Sequence, residues 1–305
     1  MSQLQDPRAA SSKGAGTGHG DVPTPVVQRR RLRTELRKAR QEASLTQEQV
    51  AAAMDWSLSK IIRIENGSVS ISTNDLKALL RHYQIVDADR TGELVALARA
   101  ARERSWWSVY RDVASPRLLQ FIEYEAAAVI TRNFEPLLIP GLLQTEEYAR
   151  AVIRQFYERP TAERVDSLME LRMKRQELLD RADPPLLFFV LDEAVIRRLV
   201  GGKAVMRRQV RQLAEMASRP NVTVEVVPFS AGVHAGMNGS FVVLEFPDAE
   251  DDDVLYLEST QGELIKPDLP EEILAYRETF EQLRELALGP GDSVTYLNKV
   301  ADEMA

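Results

Sequence analysis

Residues 46–67, Thr46 to Gly67, read TQEQVAAAMDWSLSKIIRIENG, and this stretch decides how the first third of the chain folds. Thr46 and Gln49, three positions apart, form a T-x-x-Q capping box in which each side chain accepts the other residue's orphan backbone N–H. Val50, Ala51 and Met54 then give a first helix one apolar face. Asp55 and Trp56 break the pattern. Ser57 caps a second helix that runs to about Glu65, and Asn66 with Gly67 ends it, since both tolerate the left-handed backbone that closes helices. Two short helices joined by a tight break are a DNA-reading unit.

At about 100° per residue, Ile61 and Ile64 fall on the buried side of the second helix. Ser59, Ile62 and Arg63 point away, and Leu58 and Lys60 lie on the flanks. Arg63 can make a bidentate contact to guanine, Ser59 can donate to or accept from several base edges, and an exposed Ile62 can touch a thymine methyl. An isolated Lys/Arg pair is usually just solvated charge; here the docking geometry of such motifs favours DNA contact.

The net charge of -7 looks wrong for a DNA binder until it is divided along the chain. Val27 to Ser105 holds 15 Lys/Arg against 10 Asp/Glu, whereas Trp106 to Ala305 holds 22 against 34. Positive charge is confined to the part that bears the motif. With 305 residues, 44% of them apolar, the chain is long enough for two domains with substantial cores. It has no cysteine, which excludes disulfides, thiolate nucleophiles and cysteine-based metal sites and fits a reducing interior. No apolar run approaches the roughly 20 residues that span a bilayer, and the start lacks the apolar core of a signal peptide. The sequence therefore predicts a cytoplasmic protein without a membrane segment.

Residues 1–26, rich in Gly, Ser, Ala and Pro, read as a disordered tail. The run Arg29 to Arg33, with four arginines, enters a helix carrying Leu32 and Leu36 on one face and is a candidate for phosphate contact. Past Gly67, Ser72 or Thr73 opens a helix through Leu76, Leu79 and Leu80, and Asp87 to Asp89 precede another with Leu94, Leu97 and Ala98. The expectation is an all-α, five-helix DNA-binding domain over residues 27–104. Trp106 and Trp107 at its boundary read as a packing anchor.

A larger α+β domain is expected over residues 106–305, with a mostly antiparallel or mixed sheet covered by helices. Helices are predicted at about 117–128, 145–157, 161–181, 193–200, 203–218 and 271–286 and from 292 onward. Strands are predicted at 186–191, 222–226, 240–246 and 254–258, and a further one at 263–266, the last three too closely spaced for crossover helices and so antiparallel.

Thr46–Gly67, preceded by a helix ending in Arg37, Lys38 and Arg40, resembles the xenobiotic-response-element helix-turn-helix family of the lambda-repressor type. The resemblance runs from about Leu32 to Ala98, with L-T-Q and I-x-R-I-E-N-G as its specific matches. It implies a phosphate contact by Gln47, base reading by Leu58, Ser59 and Arg63, and phosphate contacts around Asn66, Gly67 and Ser68. Leu58 departs from the polar residue often found there. The candidate DNA-contact set is Gln47, Ser57, Leu58, Ser59, Lys60, Ile62, Arg63, Asn66, Gly67 and Ser68. The resemblance also implies a structural pair between Arg40 and Glu65, which leaves Glu65 out of that set.

Further on, PGLLQT at Pro140 to Thr145 with Tyr148 and Ala149, LRMKRQELL at Leu171 to Leu179, LDEAVIRRLVGG at Leu191 to Gly202, and PNVTVEVVPF through GSF at Pro220 to Phe241 occur in order. They are similar to the domain that follows this motif in many actinobacterial regulators described as antitoxin-like, often encoded beside a small protein.

Chemistry in the second domain finds little support. His19, His82 and His234 are too scattered for a metal site by spacing, and no Walker A, G-x-S-x-G or G-x-G-x-x-G pattern occurs. The stretch Gly232 to Gly239 is the best candidate for a ligand loop, and a plain flexible connection fits it better. Acidic Asp248 to Asp253 reads as an exposed hairpin loop, and Glu193 with Arg197 and Arg198 as helix-surface pairing. The expectation is a non-enzymatic, sequence-specific transcriptional regulator without metal or cofactor, binding a double-stranded DNA operator as a homodimer. The alternative is an antitoxin-like interaction module paired with a small neighbouring protein.

Overall fold

The fold was analysed in a computed structural model, which describes residues 25–66, 69–103, 105–156, 160–247, 253–259, 262–267 and 270–305. The first five helices are α1 (Pro25–Glu42), α2 (Gln47–Ala53), α3 (Leu58–Glu65), α4 (Thr73–His82) and α5 (Ala88–Ala100). Side chains cap four of them as the sequence requires: Thr46, Ser57, Ser72 and Asp87 each accept a backbone N–H from the first turn. Leu32, Leu36, Val50, Ile61, Ile64, Leu76, Leu80 and Leu94 meet in one core. Helix α1 takes in Pro25 and Val26, two residues the sequence reading gave to the tail; residues 1–24 lie outside the described ones.

The larger domain runs α6 (Pro116–Glu125), β1 (Ile130–Glu135), α7 (Glu146–Phe156), α8 (Ala162–Gln176), β2 (Leu186–Asp192), α9 (Glu193–Arg197), α10 (Lys203–Met216), β3 (Val222–Val227), β4 (Phe241–Glu245), β5 (Val254–Ser259), β6 (Gly262–Pro267), α11 (Pro270–Leu286) and α12 (Pro290–Glu303). Among the described residues six strands form one sheet in the order β3-β2-β1-β4-β5-β6. It is mixed: β1, β2 and β3 are parallel, and β4, β5 and β6 continue antiparallel. The closely spaced strands at the end pair antiparallel, as their short connections demand. Most of the acidic segment predicted as a hairpin loop, residues 248–252, lies outside the described residues; Asp253 pairs with Arg277 at 3.3 Å.

The strand absent from the sequence reading is β1, ITRNFE, which joins the parallel half of the sheet at β2 to the antiparallel half at β4. Its alternation is hidden because polar residues occupy both faces. Arg132 is buried on the α11 side, 2.7 Å from Glu245 and 3.0 Å from Glu281, with its guanidinium 5.4 Å from the Phe188 ring. On the opposite face stand Thr131, Asn133 and Glu135. Thr131 Oγ1 and Asn133 Oδ1 have no hydrogen-bond partner among the described residues. Burial pushes the Glu135 carboxyl well above its usual range, and nearby Glu258 adds to the rise. This polar stripe separates two apolar clusters, one under α10 and α12 and one beneath α6.

Trp106 and Trp107 occupy a short 3-10 turn and pack edge-to-face, 5.4 Å between centroids, as an anchor at the boundary. The domains are also joined through α1 itself. Val27 packs among Phe121, Tyr124 and Phe246, and the Arg30 guanidinium lies 4.6 Å over the Phe246 ring. No helix among the described residues is long and apolar enough to cross a membrane.

The loop after β3 is anchored to the core at His234 and Gly236. A side chain on Gly236 would overlap the fully buried Phe134 ring and stand 3.0 Å from His234 Nδ1. Gly236→Ala should therefore destabilise the fold by about 1–3 kcal/mol. A urea unfolding midpoint that falls at unchanged slope checks this; an unchanged midpoint means the ring and loop part without cost.

Candidate nucleic-acid interface

The break between α2 and α3 is tight because Trp56 N–H bonds back to the Ala51 carbonyl at 2.9 Å. Asp55 closes it in the left-handed region at φ 54, a conformation Asp and Asn adopt more readily than other residues with side chains. Ser57 Oγ accepts the Lys60 N–H at 3.2 Å and caps α3. Ile61 and Ile64 are buried, each contributing about 1.5–3 kcal/mol through lost apolar exposure. That burial aims the opposite face outward, where Ser59 and Arg63 are exposed, Leu58 is 37% exposed and Ile62 40%.

One carboxylate fixes this arrangement. Glu65, at the end of α3, is 3% exposed. Arg40 of α1 grips it with a two-pronged contact, Nε to Oε1 at 2.7 Å and Nη2 to Oε2 at 3.0 Å. Gln47 Nε2 of α2 donates to the same Oε2 at 2.8 Å, and Arg37 Nη2 donates to the Glu65 carbonyl at 3.3 Å. The hydrogen bond to Glu65 holds the Arg40 guanidinium above even its usual basicity. Burial pushes the nearby Tyr83 hydroxyl up, and Glu65 reinforces the shift.

The candidate contact residues now divide. Leu58, Ser59, Ile62 and Arg63 share the outward face, and Arg63 Nε donates to the Ser59 carbonyl at 3.2 Å, which leaves its two terminal nitrogens facing outward. Lys60 is drawn aside instead: its Nζ lies 3.1 Å from Asp75 Oδ2 and 3.6 Å above the Trp56 ring. Gln47 has one amide N–H committed to Glu65, and one remains. Ser57 spends its oxygen on the cap and keeps a hydroxyl proton to donate. Asn66 caps the end of α3 and is exposed; Gly67 and Ser68 lie outside the described residues.

Three of the four arginines in the run Arg29 to Arg33 depart from the expected role, while Arg31 is exposed. Arg30 and Arg33 are 3% and 7% exposed. Arg29 reaches Glu123 at 3.7 Å and the Ala101 carbonyl at 3.3 Å. These side chains weld α1 to its neighbours because the helix start is covered by the second domain, which a reading of local charge does not reveal.

In that domain, Glu193 pairs with Arg197 at 3.0 Å as helix spacing predicts, and it also accepts from Tyr296 at 2.6 Å and from the Phe229 N–H at 2.8 Å. These bonds hold the Glu193 carboxyl below its usual range against the opposing effect of burial, the largest single influence on it. His234 is buried in the loop after β3, and its Nε2 lies 3.2 Å from Asp192 Oδ2. Only the glycine-rich spacing around it hinted at such packing.

A capped helix, a left-handed break and a second helix with its polar-apolar outer face clear of the bundle make this part of the chain a helix-turn-helix, an arrangement that suggests DNA binding, and residues 31–92 match the helix-turn-helix domain family. Residues 118–299, more than half of the chain, match the domain of unknown function DUF5753, and the chain belongs to that family. No curated protein and no solved structure matches it.

Arg40→Ala should destabilise the protein by about 3–5 kcal/mol by stranding Glu65 in the interior. Arg40→Lys should recover only part of the loss, because a point charge cannot reproduce the two-pronged grip. Chemical unfolding of both variants tests the pair, and equal stability of wild type and Arg40→Ala rules it out as the clamp.

Proposed function

We propose that the chain is a non-enzymatic, cytoplasmic, sequence-specific transcriptional regulator of the xenobiotic-response-element, lambda-repressor-like type. The observation that carries this is the outer face of α3: Leu58, Ser59, Ile62 and Arg63 stand exposed on a helix whose other face is locked by Ile61, Ile64 and Glu65. A groove-reading helix needs that combination of rigidity behind and free side chains in front. The local surplus of positive charge supports the same reading. One such helix covers few base pairs, so the protein acts as a homodimer on two half-sites, and the domain from Trp106 onward supplies dimerisation and the response to an effector or partner.

Arg63→Ala should weaken operator binding by about 1–3 kcal/mol and relax preference at one base position. Selection of duplexes from a random pool, followed by anisotropy titration at fixed salt, reads both effects. Unchanged affinity and preference would remove Arg63 from the reading face.

A second reading, an antitoxin-like module paired with a small neighbouring protein, is favoured by one feature of the larger domain. Phe229, Val233 and Met237 project from the single loop between β3 and β4, at 61%, 90% and 62% exposure. Replacing all three with serine should release a stoichiometric small partner in a native-lysate pull-down while operator binding persists. If the wild-type chain brings down no such protein when its genomic neighbour is expressed, the paired reading fails.

A further inference from the structure

We infer that the recognition helix reads thymine C5-methyl groups through Leu58 and Ile62, on the strength of the DNA-binding reading above. Two columns run along the outer face of α3. Ser59 and Arg63 form a polar column tied by the 3.2 Å bond from Arg63 Nε to the Ser59 carbonyl. Leu58 and Ile62, also four residues apart, form an apolar column beside it, exposed at 37% and 40%. Single exposed apolar residues are ordinary on a protein surface. Two in register on the face that meets the groove are not accounted for by the fold, since the core uses Ile61 and Ile64.

Two of the polar groups beside this column are drawn toward other helices. Lys60 is held by Asp75 and Trp56, and Gln47 by Glu65. On the outer face itself base-edge hydrogen bonding falls to the Ser59 hydroxyl and the terminal nitrogens of Arg63, with the second Gln47 amide N–H and the Ser57 hydroxyl at its margin. Opposite the apolar column, a guanine or cytosine edge would lose its hydration to a hydrocarbon with nothing to replace it. Thymine presents a methyl group at that place in the major groove. The match is chemical: apolar side chain to methyl, guanidinium to guanine.

Geometry sets the spacing. Residues four apart on a helix rise about 6 Å, and successive bases on a strand rise about 3.4 Å. The two methyl-sensitive positions therefore lie no more than two base-pair steps apart, beside the position governed by Arg63.

The test replaces each thymine of the selected operator, one at a time, by deoxyuridine, which lacks only the methyl, and titrates the full chain at fixed salt. Two positions per half-site should each lose about fourfold in affinity, the worth of one buried methyl group. Ile62→Ala should abolish the thymine–uracil difference at one position and Leu58→Ala at the other. Ile62→Val should keep it, and unchanged melting of the variants shows that the fold is intact. Equal binding of thymine and uracil duplexes, or sensitivity that survives both alanine variants, overturns the inference while leaving DNA binding standing. Failure of the chain to enrich any duplex overturns it together with the reading beneath it.

Discussion

A buried carboxylate cannot remain charged unless its neighbours replace the water it has lost, and Glu65 is satisfied from two other helices at once. Arg40 approaches from α1, Gln47 from α2, and the carboxylate itself ends α3. An eight-residue helix has too few internal bonds to hold itself in water, so the clamp and the burial of Ile61 and Ile64 fix where α3 begins and how it is rotated. The exposure of Leu58, Ser59, Ile62 and Arg63 follows from that rotation. Satisfying the buried carboxylate and orienting the outer face of α3 are the same physical event.

Helix α1 extends this constraint across the molecule. Its C-terminal half carries Arg37 and Arg40, which hold the end of α3. Its N-terminal turns bury Val27 and Arg30 among Phe121, Tyr124 and Phe246 of the larger domain. The distance from Arg30 to Arg40 along the axis is about 15 Å, less than three turns. On the proposed function, any rearrangement of β4 or α6 that an effector favours reaches the recognition helix through one continuous hydrogen-bonded rod rather than through a loop. The aromatic faces beside the Arg30 guanidinium offset part of the cost of burying it.

Much of this was legible in the sequence where local chemistry and local structure agree. The capping box, the Ser57 cap, the Asp55 break and the periodicity of α4 and α5 depend on residues within a few positions of each other. The outward face of α3 could be read for the same reason, and the Arg40–Glu65 pair through family resemblance. Strand β1 could not be read, because the groups that satisfy Arg132 lie on Glu245 and Glu281, more than 100 residues away. The same limit applies to Lys60 and Gln47, whose partners Asp75 and Glu65 come from other helices. Long-range polar pairing turns residues that look solvated into parts of the scaffold, and hydrophobic period carries no trace of it.

The arginine run shows what that means for the charge pattern. Fifteen basic residues between Val27 and Ser105 suggested an electrostatic footprint, yet Arg29, Arg30, Arg37 and Arg40 are spent on Glu123, aromatic rings, backbone carbonyls and Glu65, and Arg33 is buried. What remains for a phosphate backbone is smaller than the count implies. The larger domain, with 34 acidic against 22 basic residues, repels the same polyanion. On the proposed function, screening confines such forces to about 8 Å at physiological salt, and non-specific attraction to DNA would be weak and short-ranged. A protein with little electrostatic grip must draw its affinity from groove contacts that depend on sequence. An apolar column beside a single guanidinium suits that requirement, because hydrocarbon against methyl gains nothing from the wrong base and loses nothing to salt.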